Sequence, residues 1–256
     1  MIDMKISSPL EVHWPRLKSL WKDAFGDTDA FLDMFERTAF SPDRARCAFE
    51  NDQPVAVLYW FDCLYGGEKI AYLYAVTTDK NYRGRGICSA LIRDTHGHLK
   101  NLGYVGSILV PFGEDLFPFY EKLGYTTCCC VKEFRCEASE NSIDIKKIDE
   151  EEYATLRRKF IPKNGVLQEN ENITFLREQA EFYSGDGFLL AAREEKKMLL
   201  GVELLGDSTV APDIVRTLGY KKGNFRVPGS DKPFAMYYPL VSKDVSFPSY
   251  FGLAFD

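Results

Sequence analysis

Histidine is scarce here, with three residues in a chain of 256 and none after His98. That scarcity argues against a Ser–His–Asp hydrolase and against an imidazole-rich metal centre. His96 and His98 lie two apart in a segment with helical spacing, so they point to different faces and do not share an ion. The seven cysteines contain no Cys-x-x-Cys pair, which removes the usual zinc spacing. Their odd number, and the run Cys128-Cys129-Cys130, do not form a disulfide framework; the run reads as buried thiols in a strand. No apolar run approaches the roughly 18 residues of a membrane span. The start, Met1-Ile2-Asp3-Met4-Lys5, lacks the charged-then-apolar order of a secretory signal, so the expectation is a cytoplasmic protein. A net charge of −6 and a pI near 5.3 argue against a nucleic-acid groove. The G-x-x-x-x-G-K-S/T nucleotide loop is also missing. Gly206-Asp207-Ser208-Thr209-Val210 lacks the second glycine of a nucleophile elbow and reads as a turn.

What the chain does have is an ordinary globular composition, 45% apolar and 27% charged, long enough for one large or two modest domains. Its most informative stretch is Tyr82-Arg83-Gly84-Arg85-Gly86-Ile87-Cys88-Ser89. An apolar run, Ile70 to Val76, precedes it; a helical pattern of Ile87, Leu91, Leu99 and Leu102 comes after. Strand, glycine-rich turn and helix are what a pyrophosphate-binding loop needs. Glycine tolerates positive φ and lets backbone N–H groups approach a ligand. The first turn of the helix offers unpaired N–H donors and the positive end of its dipole. Arg83 and Arg85 add positive charge. A second element, Phe119-Tyr120-Glu121-Lys122-Leu123-Gly124-Tyr125, lies one strand (Gly106 to Val110) downstream.

From Ile70 to Tyr125 these segments resemble the GNAT superfamily of acyl-CoA N-acyltransferases. The family's Arg/Gln-x-x-Gly-x-Gly/Ala pattern is met by Arg83 and Gly86, while Cys88 departs from it at the last position. The resemblance implies that backbone amides of Arg83, Gly84, Arg85, Gly86, Ile87, Cys88 and Ser89 hold the pyrophosphate of acetyl-CoA as cosubstrate, without a metal. It implies that Val76, Thr77 and Thr78 bond the acyl carbonyl and the pantetheine arm. Tyr120 would protonate the departing thiolate; from the residues alone it is an aromatic side chain packed with Phe119 and Leu123. The implied reaction is direct attack of an amine, on a small molecule or a protein, at the thioester. A CoA-binding regulatory or assembly protein without turnover would use the same loop. Monomer and homodimer are both compatible with it, and no nucleic acid or membrane partner is expected.

A general base is not assigned. Glu68 and Asp62 are candidates that read first as solvated strand-end carboxylates; Asp79 is close to the acyl position in sequence but also suits a turn after the strand. Some tandem members of the family use a terminal carboxylate, which here would be Asp256.

Ahead of the sheet, Val12 to Phe25 and Ala30 to Phe40 have helical spacing, with Gly26 as stop and Asp27 or Thr28 as cap. Their Trp14, Trp21, Phe31, Phe35 and Phe40 read as core or as pocket lining. Strands are expected at Ala45 to Phe49, Val55 to Leu64 and Ile70 to Thr77, and another ends near Phe134. The expected architecture is α/β: a mixed, mostly antiparallel sheet flanked by helices, with a second, smaller α/β domain. The polar break Ser139 to Asn141 suggests domains 1–138 and 142–256.

In the second part, helices are expected at Glu150 to Phe160, Ile173 to Tyr183 and Ala211 to Leu218. Strands are expected at Gly187 to Ala192, Met198 to Leu204, Asn224 to Val227 and Phe234 to Leu240. This order echoes the first part, with Leu218-Gly219-Tyr220 set against Leu123-Gly124-Tyr125, but without a glycine loop. The echo admits two readings: a diverged second GNAT-like unit, or an unrelated α+β extension. The aromatic segment Ser246 to Asp256 is expected to dock rather than fray.

Overall fold

The structure is a computed structural model that describes residues 4–241 and 246–255. The chain forms two compact units. The first runs through Thr126 and resumes at Met236; the second holds Thr127–Ala235 and the segment from Ser246. The break expected at 138–142 therefore falls inside the second unit. There β6 (Thr126–Glu137) pairs with β12 (Lys222–Pro228) from Val131↔Pro228 to Glu137↔Lys222. Ser139 then bonds Pro212 O through its N–H at 3.1 Å. The polar stretch is a loop inside that unit.

In the first unit, α1 (Trp14–Phe25) ends at Gly26, whose φ of 78° only glycine adopts at little cost. Helix α2 (Asp29–Thr38) starts under the Thr28 hydroxyl, which accepts from the Phe31 N–H. Five strands take the order β1 (Met4–Ser7), β2 (Ala45–Glu50), β3 (Gln53–Tyr65), β4 (Glu68–Thr78), β5 (Gly106–Leu109). The part of β13 (Lys232–Pro239) from Met236 onward closes the sheet beside β5. Side chains alternate across a strand. Tyr59 and Tyr74 thus meet Trp21 of α1 at ring distances of 5.2 and 5.5 Å, while Leu58, Trp60 and Leu73 join Leu91, Ile92 and Leu99 of α3 (Ile87–Asn101) in a second cluster. Trp14, Trp21 and Phe35 are core; Phe31 and Phe40 are half-buried.

A polar knot sits inside that second cluster. His96 Nε2 lies 2.8 Å from the Tyr125 hydroxyl, which is 2.6 Å from Ser107 Oγ. All three groups are buried. Burial, and then the charge of Arg93, lower the His96 pKa to about 4.

The second unit orders its strands β6, β12, β11 (Met198–Gly206), β10 (Phe188–Glu195), β9 (Glu181–Gly185), β7 (Lys146–Ile148), with a two-residue strand β8 (Leu167–Gln168) outside this series. Its helices are α5 (Glu150–Phe160), α6 (Glu171–Arg177) and α7 (Ala211–Thr217). The helix expected to reach Tyr183 stops at Arg177, because Glu181–Gly185 pairs antiparallel with β10, Phe182 opposite Ala191. Helix α7 joins β11 to its parallel neighbour β12, as α3 joins β4 to β5. The counterpart of Leu218-Gly219-Tyr220 is therefore Leu102-Gly103-Tyr104, not Leu123-Gly124-Tyr125. All three triplets close a helix in the same way: a glycine at φ 84°, 93° or 83° and a tyrosine N–H bonding back five residues, at 3.0, 3.1 and 3.0 Å. A shared capping motif explains the misleading match. Each unit thus contains one β-α-β crossover between parallel neighbours.

The core of this unit holds an ion pair. Arg157 donates from Nε and Nη2 to Glu203 at 2.7 and 2.9 Å, and the hydroxyls of Tyr153 and Tyr250 each donate to the same carboxylate at 3.0 Å. Tyr250 brings the last described segment with it: Phe251, Leu253, Ala254 and Phe255 are buried, and Gln168 Nε2 donates to Leu253 O at 2.6 Å. Asp256 lies outside the described residues. No helix among the described residues is long and apolar enough to cross a membrane.

Both buried polar groups should show in unfolding experiments. Arg157→Met strands the Glu203 carboxylate and should cost about 3–5 kcal/mol in urea unfolding, with Arg157→Met/Glu203→Leu recovering most of it; a loss below about 1 kcal/mol in the single variant would refute the pairing. His96 is held neutral, so as pH falls from its ordinary value of about 6.5 the unfolded chain takes up the proton first. Its contribution is complete above that pH and disappears by about pH 4, up to roughly 3 kcal/mol. Wild type should lose stability across this window more steeply than His96→Gln, and parallel curves would contradict it.

Candidate functional site

The site begins where two strands part. Strands β4 and β5 run parallel for four pairs, Ile70↔Gly106 to Leu73↔Leu109, and there the ladder stops. Strand β4 continues to Thr78 against β3 alone. Its register slips between Tyr59↔Tyr74 and Val57↔Thr77, so Ala75 and Val76 share one partner position, a β-bulge. Ala75 takes φ 48°, a conformation that costs a residue with a Cβ about 1 kcal/mol or more. The bulge turns the strand away from β5, so among the described residues no strand pairs with the β5-facing edge of Ala75–Thr78. Val76 and Thr78 are half-buried and Thr77 is buried.

Beyond Thr78 the chain is braced for a tight turn. Asp79 accepts from the Asn81 N–H at 2.8 Å and from Arg16 at 2.5 Å; the Asn81 bond first, and Arg16 after it, lower its pKa. Arg83 Nε donates to Thr78 O at 3.0 Å, and Arg85 donates to Asn81 O at 2.9 Å with its guanidinium over the Tyr82 ring. Gly84 and Gly86 take φ 74° and 76°. A Cβ on either would meet nothing within 4 Å, so glycine serves the backbone conformation here rather than a close contact. Gly86 is the N-cap of α3 and no side chain caps that end. The N–H groups of Ile87, Cys88 and Ser89 thus have no partner within the helix. Successive amides at a 15-residue helix start, with two exposed arginines beside them, make the kind of cradle that suits an anion.

Tyr120 stands on α4 (Phe117–Glu121), 7% exposed, in the cluster that also takes in Val76, Ile87 and Cys88. Burial, and then the nearby Cys88, push its phenol above the ordinary range. Burial also pushes the Cys88 thiol up to about 11, partly offset by the Thr78 hydroxyl. The tyrosine, the loop and the edge of β4 are therefore brought together within one unit.

The candidate bases do not join them. Glu68 opens β4, eight residues from Val76, or about 26 Å along a strand. Asp62 stands opposite Ala71 and accepts from the Tyr104 hydroxyl. Asp79 is near the loop but engaged by Arg16 and Asn81. The bulge at Ala75 and the Arg16–Asp79 brace have no signal in the amino-acid sequence. Neither residue type signals a bulge, and Arg16 is distant in sequence. Among the described residues no group of three or more His, Cys, Asp or Glu is arranged to hold a metal.

Residues 5–128 match the family model of the acetyltransferase (GNAT) domain. Among solved structures, a GCN5-related N-acetyltransferase from Kribbella flavida aligns at 15% identity and TM-score 0.71, over 93% of this chain and 72% of its own. A protein of unknown function from Enterococcus faecalis V583, described as a probable N-acyltransferase, aligns at 15% identity and TM-score 0.72, over 94% and 73%. A putative acetyltransferase from Pyrococcus horikoshii aligns at 16% and 0.63, over 96% and 91%. No curated protein sequence matched. At such identities the structural likeness is one of fold: the chain shares the fold of these solved structures, and its residues 5–128 are similar to the acetyltransferase (GNAT) domain.

Proposed function

We propose that the protein is an acyl-CoA-dependent N-acyltransferase that moves an acetyl group from acetyl-CoA to an amine. The observation that carries this reading is the parted pair β4/β5 beside an uncapped, glycine-led helix start. An open strand edge suits a pantetheine arm, which is itself an amide chain, and the helix start suits its pyrophosphate. Acetyl-CoA, when bound, supplies a thioester carbonyl whose carbon an amine attacks. The edge of Val76–Thr78 would offer N–H donors to the oxygen that becomes an oxyanion. The amides of Arg83 to Ser89 would hold the diphosphate. Tyr120, kept protonated by burial, would give its proton to the departing sulfur. The acceptor is an amine on a small molecule or a protein, and the acidic chain favours a cationic one.

Calorimetric titration of acetyl-CoA into wild type and Gly86→Glu tests the cradle. Micromolar binding is expected in the first and at least about 100-fold weaker binding in the second, because a carboxylate enters an anion site and a Cβ enters a left-handed position. Absence of binding to wild type would end the acyltransferase reading. Binding without turnover of any amine in a broad panel would instead favour a regulatory CoA-binding protein.

Tyr120→Phe should lower kcat by about 10²-fold with acetyl-CoA affinity unchanged. Full turnover in that variant would remove the tyrosine from the mechanism.

A further inference from the structure

We infer that Cys128 and Cys129 form a vicinal dithiol site that captures a trivalent arsenical, a soft electrophile bound through two sulfurs. Neighbouring residues of an extended strand ordinarily project to opposite faces. At the start of β6, however, the two sulfurs lie 3.3 Å apart. Each also faces a carbonyl from another segment, Cys128 Sγ at 3.6 Å from Ala235 O and Cys129 Sγ at 3.5 Å from Pro248 O. Those contacts hold the thiols toward one another. Direct S–S closure is disfavoured, because adjacent Cα atoms are about 3.8 Å apart and ordinary disulfides need about 4.4 Å or more. A single bridging atom has no such difficulty. Trivalent arsenic is pyramidal, and two sulfurs bonded to it at about 2.3 Å with an angle of about 95° stand about 3.4 Å apart, close to the distance found here. With no third ligand of the His, Cys, Asp or Glu type grouped here among the described residues, the pair suits a centre that carries its own third substituent.

The reaction balances without an oxidant. Two As–S bonds form, the As=O bond of an organic arsenoxide breaks, and its oxygen leaves as water with the two thiol protons. Cys128 is half-buried and Cys129 fully buried, so Cys128 takes the first bond. Contact with Cys128, and then burial, keep the Cys129 thiol protonated, and its proton departs with the hydroxyl left on arsenic. Capture removes the S–H donors facing Ala235 and Pro248.

The test is intact-mass analysis of the native protein treated with phenylarsine oxide, with proteolytic mapping of the wild-type adduct. One phenylarsenic group is expected on wild type and on Cys130→Ser, and none on Cys128→Ser or Cys129→Ser. Mapping should place it on a peptide containing residues 128 and 129, and a small dithiol should remove it where a monothiol does not. An unmodified native wild type, an adduct persisting in Cys128→Ser, or one lost in Cys130→Ser would each overturn the assignment. Should Cys129→Ser fail to fold, the wild-type map decides alone.

Discussion

A parallel ladder that stops after four pairs governs the first unit. Had β4 and β5 stayed paired beyond Leu73 and Leu109, the backbone groups of Tyr74–Thr78 would be spent on a neighbouring strand. The bulge at Ala75 and Val76 is what diverts β4. The turn braced by Asp79, Arg16 and Arg83 then delivers the chain into the start of α3. Burying α3 through Leu91, Ile92 and Leu99 holds the helix end beside the open strand edge. The same apolar cluster seats Tyr120. Strand edge, cradle and tyrosine thus share one cause, and a strained alanine is part of it.

The parts of this arrangement visible in the amino-acid sequence are those set by local chemistry. Gly84 and Gly86 announce positive φ, and the pattern from Ile87 to Leu102 announces a helix. Gly26 and Thr28 mark their helix ends because a stop and a cap act within four residues. The bulge is different in kind. Alanine has no preference for φ 48°, so its placement is dictated by pairing with β3 and cannot be read locally. Glu181–Gly185 shows the same limit: its apolar spacing continues that of α6, yet partners on β10 draw it into a sheet. The Leu-Gly-Tyr triplets mislead for the opposite reason. They report a helix end faithfully and say nothing about which helix it is.

The second unit keeps the geometry and drops the cradle. Strand β11 leaves its parallel partner after Gly201↔Phe225, and its register against β10 slips at the next residue, Val202. Parting and bulge recur together, which local sequence likeness could not have revealed. After β11 come a short turn at Ser208–Val210 and a seven-residue helix with Pro212 in its first turn, in place of a glycine nest. Next to the bulge stands Glu203, fully buried and paired with Arg157. Where the first unit has its parted strands, the second has an internal salt bridge and two tyrosines.

The strand that completes the first unit is contributed by Met236–Pro239, about a hundred residues after Thr126. A ribosome making this chain therefore releases the N-terminal unit with a bare strand, β5, at the edge of its sheet, and the whole stretch from Thr127 to Ala235 must be synthesised before that edge is covered. Loop closure over such a separation is slow and exposes an aggregation-prone edge meanwhile. Truncation before Met236 would thus yield, instead of a small independent module, an open sheet in search of a partner strand.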